Sequence, residues 1–137
     1  MKKRLLIILL IVLAIGAILT VLILNHNKEK TYHVSLKDNE AIAYFTIQFK
    51  TDSVKITGDN EVASICKMLD GELKRDAKSD KTKGWIYKII AMDSNDNPVE
   101  TFFVIEETTI RINDKAYTCK AIDTSKIDEL AGINRES

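Results

Sequence analysis

The chain has 137 residues, with 20 basic and 20 acidic side chains and a formal net charge of zero. That balance argues against a nucleic-acid partner and against a basic membrane-surface patch. The 113 residues after Leu24 suffice for one small domain and not two, and one proline with no low-complexity tract argues against disorder.

Met1-Lys2-Lys3-Arg4 reads as a basic n-region, and Leu5 to Leu24 follows with no charge, its Leu/Ile/Val/Ala run broken only by Gly16 and Thr20. Twenty helical residues reach about 30 Å, the hydrocarbon thickness of a bilayer. Such a helix satisfies its own backbone bonds in lipid. Three basic residues before it, and no acid until Glu29, place the N-terminus in the cytoplasm and the rest outside the cell membrane. A cleaved signal peptide has a shorter apolar stretch, then small residues at the cut. Here Ala14-Ile15-Gly16 fits that site only loosely, and Ile18 to Leu24 stays apolar beyond it. A lipoprotein needs a cysteine just after the apolar run, and the first is Cys66. The expectation is an uncleaved, single-pass signal anchor over 5–24, with the bilayer as its partner.

Residues 25–30 read as a polar tether, 31–133 as an α+β domain and 134–137 as a frayed tail. Tyr32, Val34 and Leu36 alternate with polar residues, as do Ala43, Phe45, Ile47 and Phe49, and Val54 with Ile56. These period-two patterns predict three half-buried strands. The period then changes. Val62, Ile65, Cys66 and Leu69 fall at i, i+3, i+4 and i+7, which predicts a helix over 59–70. Asp59 suits its N-cap and Gly71 the position past its end. Glu72 to Gly84 carries both signs of charge and reads as a solvated connector.

Trp85 to Met92 and Val99 to Ile105 are apolar on both faces, with Trp85, Tyr87, Ile89 and Ala91 sharing one of them. Such runs predict central strands covered on both sides, or on one side with a partner on the other. Asp93 to Pro98 joins them, and Asn113-Asp114 marks a tight hairpin into Ala116 to Cys119. Thr124 or Ser125 suits the cap of a short helix carrying Ile127, Leu130 and Ala131, ended by Gly132. The expected architecture is an antiparallel sheet with the 59–70 helix packed across one face and a short C-terminal helix.

Val54, Ile56, Gly58, Asp59, Glu61, Trp85, Tyr87, Ile110, Ile112, Asn113, Asp114 and Tyr117 form a pattern over about residues 40–122. In these positions the chain resembles short, uncharacterised bacterial exported domains of the membrane-tethered or lipoprotein type. The resemblance implies fold and location, and no activity.

The chemistry-bearing residues are few. His26 and His33 are not at metal-ligand spacing with cysteine or clustered carboxylates, and no nucleophile motif or phosphate-binding glycine loop occurs. Asp93-x-Asn95-x-Asn97 starts like a calcium loop, but Pro98 stands where glycine is needed and Val104 where glutamate is needed. Asp and Asn also fill hairpin turns for conformational reasons. The expectation is no enzyme, no catalytic residue, no cofactor and no metal. Cys66 and Cys119 enclose about fifty residues. A bridge between them would contribute roughly 4 kcal/mol in the chain-entropy model, against the reading of two small buried hydrophobes. Trp85, Tyr87, Phe102 and Phe103 make a candidate interaction face. Two functions follow: a binding module that meets a protein or envelope partner through a sheet face, or a structural subunit whose sheet face is covered by another copy.

Overall fold

The computed structural model describes residues 2–29, 31–82 and 84–133, with the side chains of 23–29 outside the description. The predicted frayed tail, Lys30, Lys83 and the side chain of His26 therefore lie outside the described residues. The chain forms two compact units, Met1–Thr31 and Tyr32–Ser137.

The first unit holds α1, Lys2–Glu29. It contains a stretch, Lys2–Leu22, long and apolar enough to cross a membrane, and every described side chain in it is exposed. A helix apolar all round has no polar face to offer water. At Thr20 the hydroxyl donates to the Gly16 carbonyl at 2.8 Å, so its polar group is satisfied within the helix. The helix continues through residues 25–29, read from sequence as tether. Asn, His, Lys and Glu all tolerate helix, and no glycine or proline interrupts them.

The second unit is α+β. Its strands are β1 (Thr31–Val34), β2 (Tyr44–Phe49), β3 (Asp52–Ile56), β4 (Gly71–Arg75), β5 (Tyr87–Met92), β6 (Pro98–Glu106), β7 (Thr109–Ile112) and β8 (Lys115–Thr118). The described residues form one antiparallel sheet in the order β1-β4-β8-β7-β6-β5-β2-β3. The predicted meander is its centre, β5 to β8, and the β2–β3 hairpin is added beside β5.

Register explains the core. Ile47 stands opposite Val54 and Ile89, and Ile89 opposite Phe102. Tyr87 stands opposite Val104, Val104 opposite Ile110, and Ile110 opposite Tyr117. Opposed residues share a face, so these rows form one apolar sheet surface, and nearly all of it is buried. Two helices cover it. The first, α2 (Asp59–Leu69), buries Ile65, Cys66 and Leu69, with Val62 partly buried beside them, as the spacing predicts. The second, α3 (Thr124–Ala131), buries Ile127 and Ala131. The hydroxyl of Tyr87, inside the core, bonds the Thr124 carbonyl at 3.2 Å and the Asp128 carboxylate, tying α3 to β5.

The sheet is strongly coiled. Three strands separate β1 from β6, which in a flat sheet is about 19 Å at the usual spacing. Yet Tyr32 on β1 donates its hydroxyl to Glu100 on β6 at 2.7 Å, and its ring lies 5.5 Å from that of Tyr117 on β8. The coil brings the β1 end of the sheet around the core.

Several local expectations change. The segment read as a solvated connector contains β4 and a 3-10 turn, Ala77–Ser79. Leu73 alone carries β4 into the core, too little for a period-two signal. Arg75 then pairs with Asp80, whose Oδ1 also accepts from the Ala116 amide at 2.7 Å, so the charges are spent on structure. The N-cap of α2 is Gly58, with Asp59 inside the first turn. The C-cap is Asp70 in an extended conformation, and Gly71, at φ 140°, already opens β4. Asp123, not Thr124 or Ser125, caps α3, its carboxylate accepting from the Lys126 amide at 3.1 Å. Gly132 ends the helix in the left-handed conformation, as predicted.

Candidate functional site

The four aromatic residues of the predicted interaction face do not share a face. Tyr87 and Phe102 are fully buried in the core between sheet and helices, and neither can meet a partner. Trp85 and Phe103 are half-buried on the opposite side of the sheet, their ring centroids 6.0 Å apart. The phase reverses at the start of β5. Gly84 takes φ 93°, the Ile86 amide donates to the Val104 carbonyl, and regular alternation begins only at Tyr87. Trp85 thus leaves the face of Tyr87, Ile89 and Ala91 on which strict alternation places it.

On this open side, one row crosses four strands. Gln48 stands opposite Lys88, Lys88 opposite Phe103, and Phe103 opposite Arg111. Lys88 Nζ lies 5.5 Å from the centre of the Phe103 ring, and the Arg111 guanidinium 5.4 Å. The ring is held between two cations from neighbouring strands, each contact worth about 0.5–1 kcal/mol at such exposure. Arg111 is fixed further by donating to the Thr82 carbonyl at 2.6 Å. Towards the β3 edge, Lys55 Nζ sits 4.2 Å over the Tyr44 ring, and the Tyr44 hydroxyl donates to Asp96 at 2.6 Å. That bond raises the pKa of Tyr44. Ile90 and Met92 of β5 are half-buried on the same side. The surface is therefore aromatic and aliphatic at its centre and cationic between the rings. Sequence reading missed Lys88 and Arg111; their signal was the alternation of Lys88 with Ile89 and of Arg111 with Ile110.

The remaining sequence candidates have structural roles or lie apart. Asp93 Oδ1 accepts from the amides of Asn95 at 2.9 Å and Asn97 at 2.8 Å, a turn closed by its own side chain. Among the described residues no group of three or more His, Cys, Asp or Glu gathers as a metal site. His33 is exposed on β1. Cys66 is buried and Cys119 half-buried, and both are free thiols. Cys119 lines a small cavity with Met68 to Leu73 at the C-terminal end of α2, and no disulfide joins it to Cys66. Burial pushes both thiols up, which keeps them protonated and poorly nucleophilic.

Comparison with family models, with curated proteins and with solved structures finds no match to this chain.

Proposed function

We propose that the chain is a membrane-anchored binding module. In this reading Lys2, Lys3 and Arg4 remain cytoplasmic, the apolar part of α1 stays in the bilayer uncleaved, and the unit 32–137 stands outside. That unit engages a protein or envelope partner through the open sheet face around Trp85 and Phe103. The observation that carries the reading is the asymmetry of the sheet. One face is covered by α2 and α3, while the other carries, among the described residues, the Phe103 ring between Lys88 and Arg111 with the half-buried Trp85 ring beside it. Aromatic residues and arginine are the side chains most enriched in protein interfaces.

The same face could instead be covered by a second copy, which makes the protein a structural, self-associating subunit. Solution mass of the 32–137 unit, which has a core of its own, separates the two. A monomer, together with light-induced adducts from a photo-crosslinker at position 103 and none from one at position 61, supports partner binding. A dimer that becomes monomeric on Phe103→Ala supports self-association. A monomer giving no adduct from position 103 in intact cells ends both readings.

A further inference from the structure

A groove of about 730 Å³ runs along α2 on the side away from the open sheet face's aromatic row. Its second wall is the connection between β1 and β2. The volume is that of a small-molecule site. Leu36, Ile42, Val62 and Cys66 supply apolar surface, with Ala63 exposed on the helix wall.

The backbone polar groups around this groove are already engaged. The amides of Leu36 and Lys37 both donate to the Asp70 carboxylate, at 2.5 and 3.1 Å. The Asn39 amide takes the Leu36 carbonyl, and the Ile42 amide takes the Asn39 carbonyl. Lys120 Nζ takes the Lys67 carbonyl at 2.9 Å. An extended peptide needs free donors and acceptors along its length, and this wall offers few. A hydrocarbon chain needs none.

The groove is charged at one end. Lys37, Lys67 and Lys120 gather there, with Asp70 as the acid beside them. Among the described residues the side-chain ammonium groups of Lys37 and Lys67 have no hydrogen-bond or ion-pair partner; only their backbone groups are engaged. Three ammonium groups against Asp70 and the half charge of a helix C-terminus leave a net of about +1.5. Asp59 stands at the other end, about 16 Å away along the helix.

From the apolar wall, its spent backbone and the basic end, we propose that this groove binds a single-chain amphiphile with an anionic head, a free fatty acid. The acyl chain lies along Leu36, Ile42, Val62 and Cys66, and the carboxylate meets Lys37 and Lys67. The volume suits one acyl chain rather than the pair of a bilayer phospholipid.

Calorimetric titration of the 32–137 unit with sodium laurate below its micelle concentration tests this. The expected result is saturable 1:1 binding, with dodecyltrimethylammonium at least about tenfold weaker because its head has the wrong sign. Combined Lys37→Ala and Lys67→Ala should weaken laurate binding about tenfold. Ala63→Trp, an exposed position on the helix wall, should do the same by filling the groove, with the melting temperature unchanged. Lys88→Ala, on the sheet face, should leave it unaltered, which keeps this site distinct from the partner-binding face. No saturable binding overturns the proposal. So does equal affinity for the cationic amphiphile, or binding to phosphatidylglycerol vesicles without binding to laurate.

Discussion

Asp80 shows how a charged side chain in this domain is used. Its carboxylate takes the guanidinium of Arg75 and the amide of Ala116, joining the segment after β4 to strand β8. The Arg75 hydrogen bonds, reinforced by the Ala116 amide, lower its pKa from the ordinary 3.8 to about 2. A carboxyl depressed in the folded state contributes stability that is complete above its unfolded value and lost as pH falls through the folded one. The contribution of Asp80 is thus present above about pH 4 and disappears between about pH 4 and pH 2. Urea midpoints measured across that range should fall in the native protein, and Asp80→Asn should flatten that limb while lowering the midpoint at pH 7. An acid limb of unchanged slope in Asp80→Asn would show that the ion pair does not couple to folding. Sequence placed this residue in a solvated charge run. Nothing local distinguishes a carboxylate that finds Ala116, 36 residues away, from one that finds water.

Elements with strong periodicity were legible, and those held by one or two long-range contacts were not. The stripe of α2 stands where i, i+3, i+4 and i+7 place it, because one helical face must meet the sheet. Asn113 and Asp114 both take positive φ, 51° and 65°, the backbone that a two-residue hairpin loop requires. By contrast, β4 has a single buried apolar residue, Leu73, and Trp85 changes face because Gly84 redirects the chain. Half of the candidate site was therefore misassigned: alternation alone put Tyr87 with Trp85. The packing of α2 gives a direct test. Leu69 is 3% exposed, while Lys67 points outward. Leu69→Ala should cost about 2–5 kcal/mol, as large-to-small changes in close-packed cores do. Lys67→Ala should stay within about half a kcal/mol. Since a domain of this size has about 5–15 kcal/mol of stability, the first change should shift the denaturation midpoint clearly and the second hardly at all. Equal shifts in the two variants would mean that the helix presents a different face to the sheet.

At the scale of the whole molecule, the two units are built on opposite rules. The 32–137 unit turns its apolar side chains inward around Ile65, Phe45 and Tyr87, with charged and polar groups at its surface. Along the described part of α1, as far as Leu22, the apolar side chains face outward, from Leu5 at 70% exposure to Leu22 at 58%. In water that surface would drive association or aggregation; in a bilayer it is matched to its solvent, with the backbone groups between the two end turns bonded within the helix. Lys2, Lys3 and Arg4 precede the apolar stretch with no acid among them, whereas Lys28 and Lys30 after it flank Glu29, and that excess of positive charge at the N-terminal end sets the orientation in the proposed topology. A transient leader would separate after the small residues near Ala17, yet Ile18 to Leu24 would then begin the mature chain with an apolar overhang. The proposed anchor makes three linked predictions in fractionated cells. The protein should sediment with membranes at full mass, should resist extraction by salt and alkali, and should lose epitopes in 32–137 when protease is added outside intact cells. Val12→Lys should weaken retention in the membrane without abolishing it, since a charge at the centre of a spanning helix costs about 2.5–3.5 kcal/mol. Recovery of a soluble mature form beginning after Ala17 would overturn the anchor, and epitopes protected until the membrane is opened would reverse its orientation.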